Sequence, residues 1–574
     1  MFRKLIYEEI AKLVPAGTNF SVEVPENSAH GDYASNVALV RQPADGKKAG
    51  KNPREVAEDV ALRLRSGRFR SDLLDKIEIA GPGFLNFWIK NEELVKQLGA
   101  MLQHPEKWGT SDVGKNKKIV VEYFPLNIAK RPHIGHIRSA VIGDSIKRML
   151  LAQGYDAISD THVGDWGTQF GILLLAWKES GASLTELELG DPFSILEDLY
   201  TAENERIELE PERREQAKKE FAKLERGNKE NRKIWEQMVL ISMKKLEDSA
   251  NRLGLLSFDE HKGESSYEQD MPEIVAEALK KNVAQKKDDG AVIVDLTNEN
   301  LDEAVLIKSD GASTYLLRDL ATIKYRQEKY NFYKNLYVTD VRQEHHFRQV
   351  FRVAEKLGYD GVNDSEHISF GFMSLPEGTI STRRGTAIAL DLVLDEATNR
   401  AEKVIEEKNS DLPHKETIAK MIGIGALKYF DLSHNRHSDI VFEWDEALAF
   451  EGNTGPYLQY TYARLKSILR KAANNATWTS DVQVDVDQIE RELIVFLSRF
   501  PEAIEDALHD FTPNTLANYL FQLAQKANEF YHSHPVIQEE NEAKKQFKLS
   551  LVEASALTLK KGLNLLGIDS PEEM

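Results

Sequence analysis

The sequence predicts an α/β protein: a parallel sheet in the middle of the chain, a smaller α+β module before it and a helical module after it. Three observations carry that expectation. Lys117 to Leu151 reads as a strand, a loop and a helix in direct succession. Short β-branched runs alternate with helical periods around it, as in strands linked by crossover helices. From about residue 446 onward most of the chain is helical by pattern.

The 574 residues leave room for roughly three or four domains. With 41% hydrophobic and 29% charged residues, the composition is that of an ordinary globular protein. The apolar run Ile172 to Trp177 is far too short to span a bilayer, and no longer one is visible. Met1 to Val14 is amphipathic and carries Glu8 and Glu9, unlike a signal peptide. Cysteine is absent, which excludes disulfides, cysteine nucleophiles and thiolate zinc sites, and fits a cytoplasmic chain. A net charge of −19 does not by itself suggest a nucleic-acid binder. Its distribution matters more. Lys115 to Arg148 holds eight Lys/Arg against Glu122 and Asp144 alone.

In order, residues 1–105 predict an α+β module: a helix at Met1 to Val14, a strand at Phe20 to Val24, a helix from Arg54 to Leu64, and strand signals at Ile77 to Ala80 and Gly81 to Phe87. Gly46 to Asn52 looks like a phosphate loop. It is one residue short between its glycines and lacks Ser/Thr after the lysine, so it reads as solvated loop.

After a linker at about His104 to Asn116, Lys117 to Tyr123 is the β-branched run of a buried parallel strand. Phe124 to Pro132, with two prolines and an asparagine, is a loop. A helix is expected from about His133, with Ile137, Val141, Ile142, Ile146, Met149 and Leu150 inward and Arg138, Asp144 and Lys147 largely outward. Ligands bind where strands end and helices begin in such sheets, and a helix N-terminus suits phosphate. His133-Ile134-Gly135-His136 stands at that place: two imidazoles flanking a glycine that admits a ligand close to the backbone. A second strand is expected at Ala157 to Val163, then a tight substrate-facing loop at Gly164 to Gly171. Residues 180–285 are charged and helical and read as an insertion; the second half of the nucleotide fold is expected to resume at Gly290 to Val294. Tyr315 and Asp319, four apart, share a helix face. His345 and His346 have no companion ligands at metal spacing, so no metal site is expected there.

With Asn127-Ile128-Ala129-Lys130 before it and Gly143-Asp144-Ser145 after it, the His133 to His136 block resembles the nucleotide-binding motif of class I aminoacyl-tRNA synthetases, and in its longer form that of the arginyl-tRNA synthetase family. The resemblance covers nearly the whole chain and is strongest at 119–171, 308–347 and 437–468. It implies a Rossmann-type catalytic domain (115–445) with a helical insertion, an N-terminal additional tRNA-binding domain (1–105) and an all-helical anticodon-binding domain (446–574). It implies ATP-dependent activation of L-arginine and transfer to tRNA(Arg), with magnesium accompanying ATP, in a cytoplasmic monomer.

Residue by residue, the resemblance places ATP at His133, Gly135, His136 and His346, with His133, His136 and Lys130 catalytic. It places arginine at Glu122, Asn127, Tyr315, Asp319 and Gln343. A guanidinium favours carboxylate partners, which agrees with Glu122 and Asp319. The second ATP motif of the class, Lys-Met-Ser-Lys-Ser, corresponds to Thr379-Ile380-Ser381-Thr382-Arg383-Arg384-Gly385. Both signature lysines are missing, so Lys130 is the natural stand-in for their cation, with Arg383 and Arg384 as further candidates for the same role and Ser381 also at the ATP. Asn86, in the Gly81 to Phe87 string, and Tyr457 and Tyr460, in the Glu451 to Tyr460 string, are the candidate tRNA contacts. The rivals are another class I synthetase and a non-catalytic tRNA-binding paralogue. The cysteinyl enzyme needs a thiolate zinc site that this chain cannot build. A glutamate pocket is basic, whereas this one is acidic. The intact His133 to His136 block argues against the paralogue.

Overall fold

The computed structural model describes residues 2–40, 52–66, 73–181, 183, 191–375, 378–379, 388–472 and 484–574. The Gly46 to Gly50 loop, Ser381, Arg383 and Arg384 lie outside these residues.

The first module pairs β1 (Val22–Glu23), β2 (Tyr33–Ser35), β3 (Leu74–Ala80) and β4 (Phe84–Ile89) in one antiparallel sheet of order β1-β2-β4-β3. Helices Phe2–Ala11, Pro53–Ser66 and Asn91–Gln103 belong to the same module. The parallel sheet follows. It begins with β5 (Lys118–Glu122) and β6 (Asp156–Asp160). Ile119, Val120 and Val121 are all buried, as a strand covered on both faces requires.

The run at Gly290 to Val294 does not restart this sheet. It joins a separate antiparallel sheet made of β7 (Gln285–Lys286), β8 (Val292–Val294) and β9 (Ala304–Ile307). A three-residue apolar strand does not declare its partner, because strand propensity reports a pleated, half-buried place and no more. The parallel sheet resumes with β10 (Lys334–Tyr337) and β11 (Glu366–His367), giving the order β11-β10-β5-β6. Between β6 and β7 run three long helices, Pro192–Leu209, Glu212–Glu225 and Lys229–Arg252. From residue 455 the described chain is helical: Gly455–Lys471, Gln488–Ser498, Phe500–His509, Pro513–Ser533 and Glu542–Leu565. Among the described residues no helix is long and apolar enough to cross a membrane.

The helix after β5 begins at His136, not His133. The backbone of His133 and Ile134 is taken elsewhere: His133 bridges Ala389, and Ile134 N donates to Ile388 O at 3.1 Å. The helix, His136–Ala152, also has no solvent face to speak of. Arg138, Asp144 and Lys147, expected outward, are all buried. Each is answered by charge. Arg138 meets Asp431 at 3.1 Å, Asp144 meets Arg148 at 2.7 Å, and Lys147 meets Asp259 at 2.6 Å. Gly143 lets the helix lie directly on β5, because a Cβ there would sit 2.3 Å from Tyr123 Cβ.

The two ends of the chain are joined. Arg491 grips Asp32 with both nitrogens, Nη1 to Oδ1 at 3.0 Å and Nη2 to Oδ2 at 2.7 Å. Ile89 N also donates to Asp32 Oδ2, and Arg499 donates to the Asp32 carbonyl. Tyr33 donates to Glu502 at 3.0 Å. The Gly31 to Asn36 string therefore docks the first module on the helices Gln488–Ser498 and Phe500–His509. Asp32→Ala strips a half-buried Arg491 and the buried Ile89 N–H of their partner, and is expected to cost about 2–3 kcal/mol in denaturant unfolding. A variant as stable as the parent contradicts this docking role. Gly143→Ala forces helix and strand apart and is expected to cost about 1–3 kcal/mol in the same measurement; an unchanged midpoint contradicts the close approach.

Candidate active site

The register of the parallel sheet sets the site. Tyr337 lies opposite both His367 and Glu122, and Glu122 lies opposite Asp160. One row of polar side chains thus crosses the C-terminal ends of all four strands, where open α/β sheets bind ligands. Arg326, from helix Tyr315–Tyr330, reaches this row and is wholly buried. Its Nη2 lies 2.7 Å from both Glu122 Oε2 and Asp160 Oδ2, and its Nη1 donates to Asn335 Oδ1 at 3.3 Å. Asn335 donates in turn to the Tyr337 hydroxyl at 2.7 Å.

The two acids respond differently to the shared cation. Burial prevails at Glu122 over the pull of Arg326, and its carboxyl lies above the ordinary range. At Asp160 burial acts the same way, but Arg326 and His162 outweigh it and hold the group below its ordinary range. Two more imidazoles approach from either side. His346 Nε2 is 2.5 Å from Asp319 Oδ2, and His162 Nε2 is 3.7 Å from Asp319 Oδ1. Burial works against the charged form of His346, yet the bond to Asp319 and its charge prevail and raise it.

The loop from β5 to its helix is strained, with Phe124 and Ala129 both at positive φ (57° and 61°). Hydrogen bonds hold it there: Phe124 N donates to Ser139 Oγ, and Ala129 N to Ser242 Oγ, each at 2.9 Å. At its end the His133 and His136 rings lie 3.9 Å apart. Gly135 N–H donates to His133 Nδ1 at 3.2 Å, and His133 N–H donates to His136 Nδ1 at 3.1 Å. A neutral imidazole that accepts at Nδ1 carries its hydrogen on Nε2. Both rings are neutral: burial, then Lys130, brings His133 down to about 4, and burial, then His133, brings His136 down to about 3. His133 therefore offers an Nε2–H donor beside a helix N-terminus, and His136, whose Nδ1 lies 3.1 Å from His133 N and 3.3 Å from His133 O, offers a second in the tautomer that accepts from that N–H, a set suited to phosphate oxygens.

The remaining predicted residues fall in several places. Lys130 is exposed beside this block, with its amine 5.5 Å from the Tyr200 ring. Asn127 is exposed and lies against Gly164, whose Cβ position is 2.5 Å from Asn127 Oδ1. Tyr315 is exposed one turn before the buried Asp319, and Gln343 is exposed just before helix Glu344–Leu357. His346, expected beside ATP, has Asp319 as its partner. His345 is exposed, with Asp302 3.4 Å away.

In the Gly164 to Gly171 string, expected to face substrate, Trp166 is buried against Phe221 and Trp235. Asn86 is buried within β4, opposite Ala34 and Glu78, so it is an interior residue of the sheet rather than a surface contact. Tyr460 is 45% exposed, whereas Tyr457 is half-buried and accepts from Asn528 at 3.0 Å. Sequence reasoning missed Arg326, Asp160, His162 and Tyr337 as members of the site. The only signals were the positions of Asp160 and Tyr337 at strand ends.

Three family models match the chain in succession: Arginyl tRNA synthetase N terminal domain over residues 1–89, tRNA synthetases class I (R), catalytic domain over 97–444, and DALR anticodon binding domain over 458–574. The chain belongs to the arginyl-tRNA synthetase family. A family member from Fusobacterium nucleatum, named arginine–tRNA ligase, is 37% identical over 557 residues, 95% of this chain and 94% of that one. One of the same name from Halothermothrix orenii is 36% identical over 99% of this chain and 98% of its own. The solved arginyl-tRNA synthetase of Thermus thermophilus is similar over 100% of both chains, with a TM-score of 0.84 and 26% identity.

The neutrality of the two histidines is directly measurable. NMR of ring-labelled protein is expected to show His133 as the Nε2–H tautomer and neither His133 nor His136 titrating between pH 6 and 8. A midpoint near the ordinary imidazole value for either contradicts the buried geometry.

Proposed function

We propose that the chain is an arginine–tRNA ligase, coupling ATP cleavage to the charging of tRNA(Arg) with L-arginine. The observation that carries this reading is the pairing of a phosphate-suited helix start with an acidic amino-acid site on one sheet crest, in a chain that matches members of this family over nearly its whole span.

The arginine carboxylate attacks the α-phosphate of ATP, forming arginyl-adenylate and releasing pyrophosphate. The terminal ribose hydroxyl of the tRNA then attacks the adenylate carbonyl, giving the ester and AMP. No side chain forms a covalent bond in either step, so catalysis is positioning and charge neutralisation. His133 and His136 donate Nε2–H to the phosphates, and Gly135 admits them close to the backbone. Lys130 supplies the cation that the second ATP motif lacks in lysine form, with Ser381, Arg383 and Arg384 as further phosphate partners. Magnesium accompanies ATP as part of that substrate. Asp319 takes the cation of arginine, with Glu122, Asn127, Tyr315 and Gln343 around it. Tyr460 and Tyr457 present aromatic surface to the tRNA. The chain works as a monomer.

Charging assays with each of the twenty amino acids, with ATP, magnesium and bulk tRNA, test the reading. Arginine alone is expected to charge. Charging by another amino acid contradicts the acidic site, and folded protein that charges nothing contradicts catalysis. His136→Ala is expected to lower turnover roughly tenfold or more, the scale of one lost transition-state contact. Unchanged turnover removes it from the site.

A further inference from the structure

The carboxylates around the amino-acid site are not partnered alike. Glu122 and Asp160 share the buried guanidinium of Arg326. Glu264 holds Arg318 at 2.7 Å. Asp319, on the same helix as both arginines, is held by imidazoles: His346 at 2.5 Å and His162 at 3.7 Å. A guanidinium stays charged at every working pH, so an arginine cannot release its carboxylate by losing a proton. An imidazole can, close to neutrality. Asp319 is thus the one acid of these four whose bound partner is able to step down in charge when an external cation arrives.

We infer that His346 is a positioning residue that holds Asp319 in the free protein, and that substrate exchanges its own guanidinium for the proton on His346. The inference rests on the reading that Asp319 is the acid that receives the substrate's cation. It gives His346 a role in amino-acid recognition that is separate from any contact with ATP.

The surroundings fit a proton exchange at this ring. His346 lies in the first turn of helix Glu344–Leu357, with about a quarter of its side chain exposed, so its proton has a route to solvent. Asp319 raises it against burial, which makes it the charged partner in the free protein. From β11, His367 is pressed down to about 4 by burial and lies 2.9 Å from Thr339 Oγ1, so it adds no competing charge. The Tyr337 hydroxyl, from β10, is engaged by Asn335. On the far side of Asp319, His162 is also raised: Glu122 and Asp319 overcome its burial. His162 is therefore the rival for the same proton, and the test separates the two.

Below the raised value of His346, arginine has to expel a proton to reach Asp319. Its dissociation constant is then expected to fall about tenfold for each unit that pH rises, and to level off above that value. Titration calorimetry of arginine into the full chain, at pH 5.5 to 8 and in buffers of different ionisation enthalpy, reads both the affinity and the proton released. Close to one proton per arginine is expected at the acid end and none at the alkaline end. His346→Gln keeps a hydrogen-bond donor toward Asp319 but does not titrate. It is expected to remove the slope and the proton release, and to bind arginine at least as tightly as the parent at pH 5.5. His162→Gln is expected to keep both.

A slope that survives in His346→Gln overturns the inference, and so does one lost only in His162→Gln. Asp319→Asn distinguishes this failure from failure of the underlying reading. It is expected to weaken arginine about thirtyfold or more. Unchanged affinity there removes Asp319 from the substrate, whereas weakened affinity together with an unaltered slope in His346→Gln removes only the exchange.

Discussion

One buried guanidinium organises the crest of the sheet. Arg326 places a single nitrogen between carboxylates from two adjacent strands, and its other arm on a third strand. Without it, Glu122 and Asp160 would face each other, charged, in a dry interior, and isolated buried charges are strongly unfavourable. Removing one member of such a group costs far more than never having built it, because the partners are left uncompensated. The arrangement therefore fixes helix Tyr315–Tyr330 relative to β5, β6 and β10. That helix also carries Asp319, so the same contact determines where the proposed amino-acid site sits.

The helix His136–Ala152 is the second constraint. A helix buried all round is normally apolar all round. This one keeps Arg138, Asp144 and Lys147 inside, and satisfies Arg138 and Lys147 from distant parts of the chain and Asp144 from Arg148 one turn on. Arg138 reaches Asp431 and the carbonyls of Gly371 and Ser438, which ties the second half of the sheet domain to the first. Arg148 links Asp144 to the Gly254 carbonyl, and nearby Lys428 donates to the carbonyl of Gly567 near the end of the chain. The helix is thereby held against the second half of the sheet domain and against the helical module. A polynucleotide that touches widely spaced surfaces requires those surfaces to keep their spacing, and these contacts, with the Arg491–Asp32 pair between the first and last modules, supply that stiffness.

Local physics was legible in the sequence and long-range pairing was not. The run Lys117 to Tyr123 declared a buried strand, and the helical period after it declared a helix. The start of that helix was misplaced by three residues, because the bridge from His133 to Ala389 belongs to chain more than two hundred residues away. Periodicity identified the apolar side of the helix but not what covers the other side. Nothing in the sequence marks Arg326, since its partners lie 204 and 166 residues distant. Asn86 was a candidate contact only through resemblance, and the glycines around Trp166 suggested a substrate-facing loop, whereas both side chains are interior. The gathering of Glu122 and Asp319 was available only through resemblance, and their unequal partners only through the structure.

The most direct test of this account is steady-state kinetics of Arg326→Lys, which keeps the charge but loses the planar fork. The KM for arginine is expected to rise roughly tenfold or more, with the KM for ATP changed by less than about twofold and the far-UV spectrum preserved. A folded variant with an unaltered KM for arginine, or with both constants raised together, would contradict the claim that this guanidinium shapes the amino-acid site.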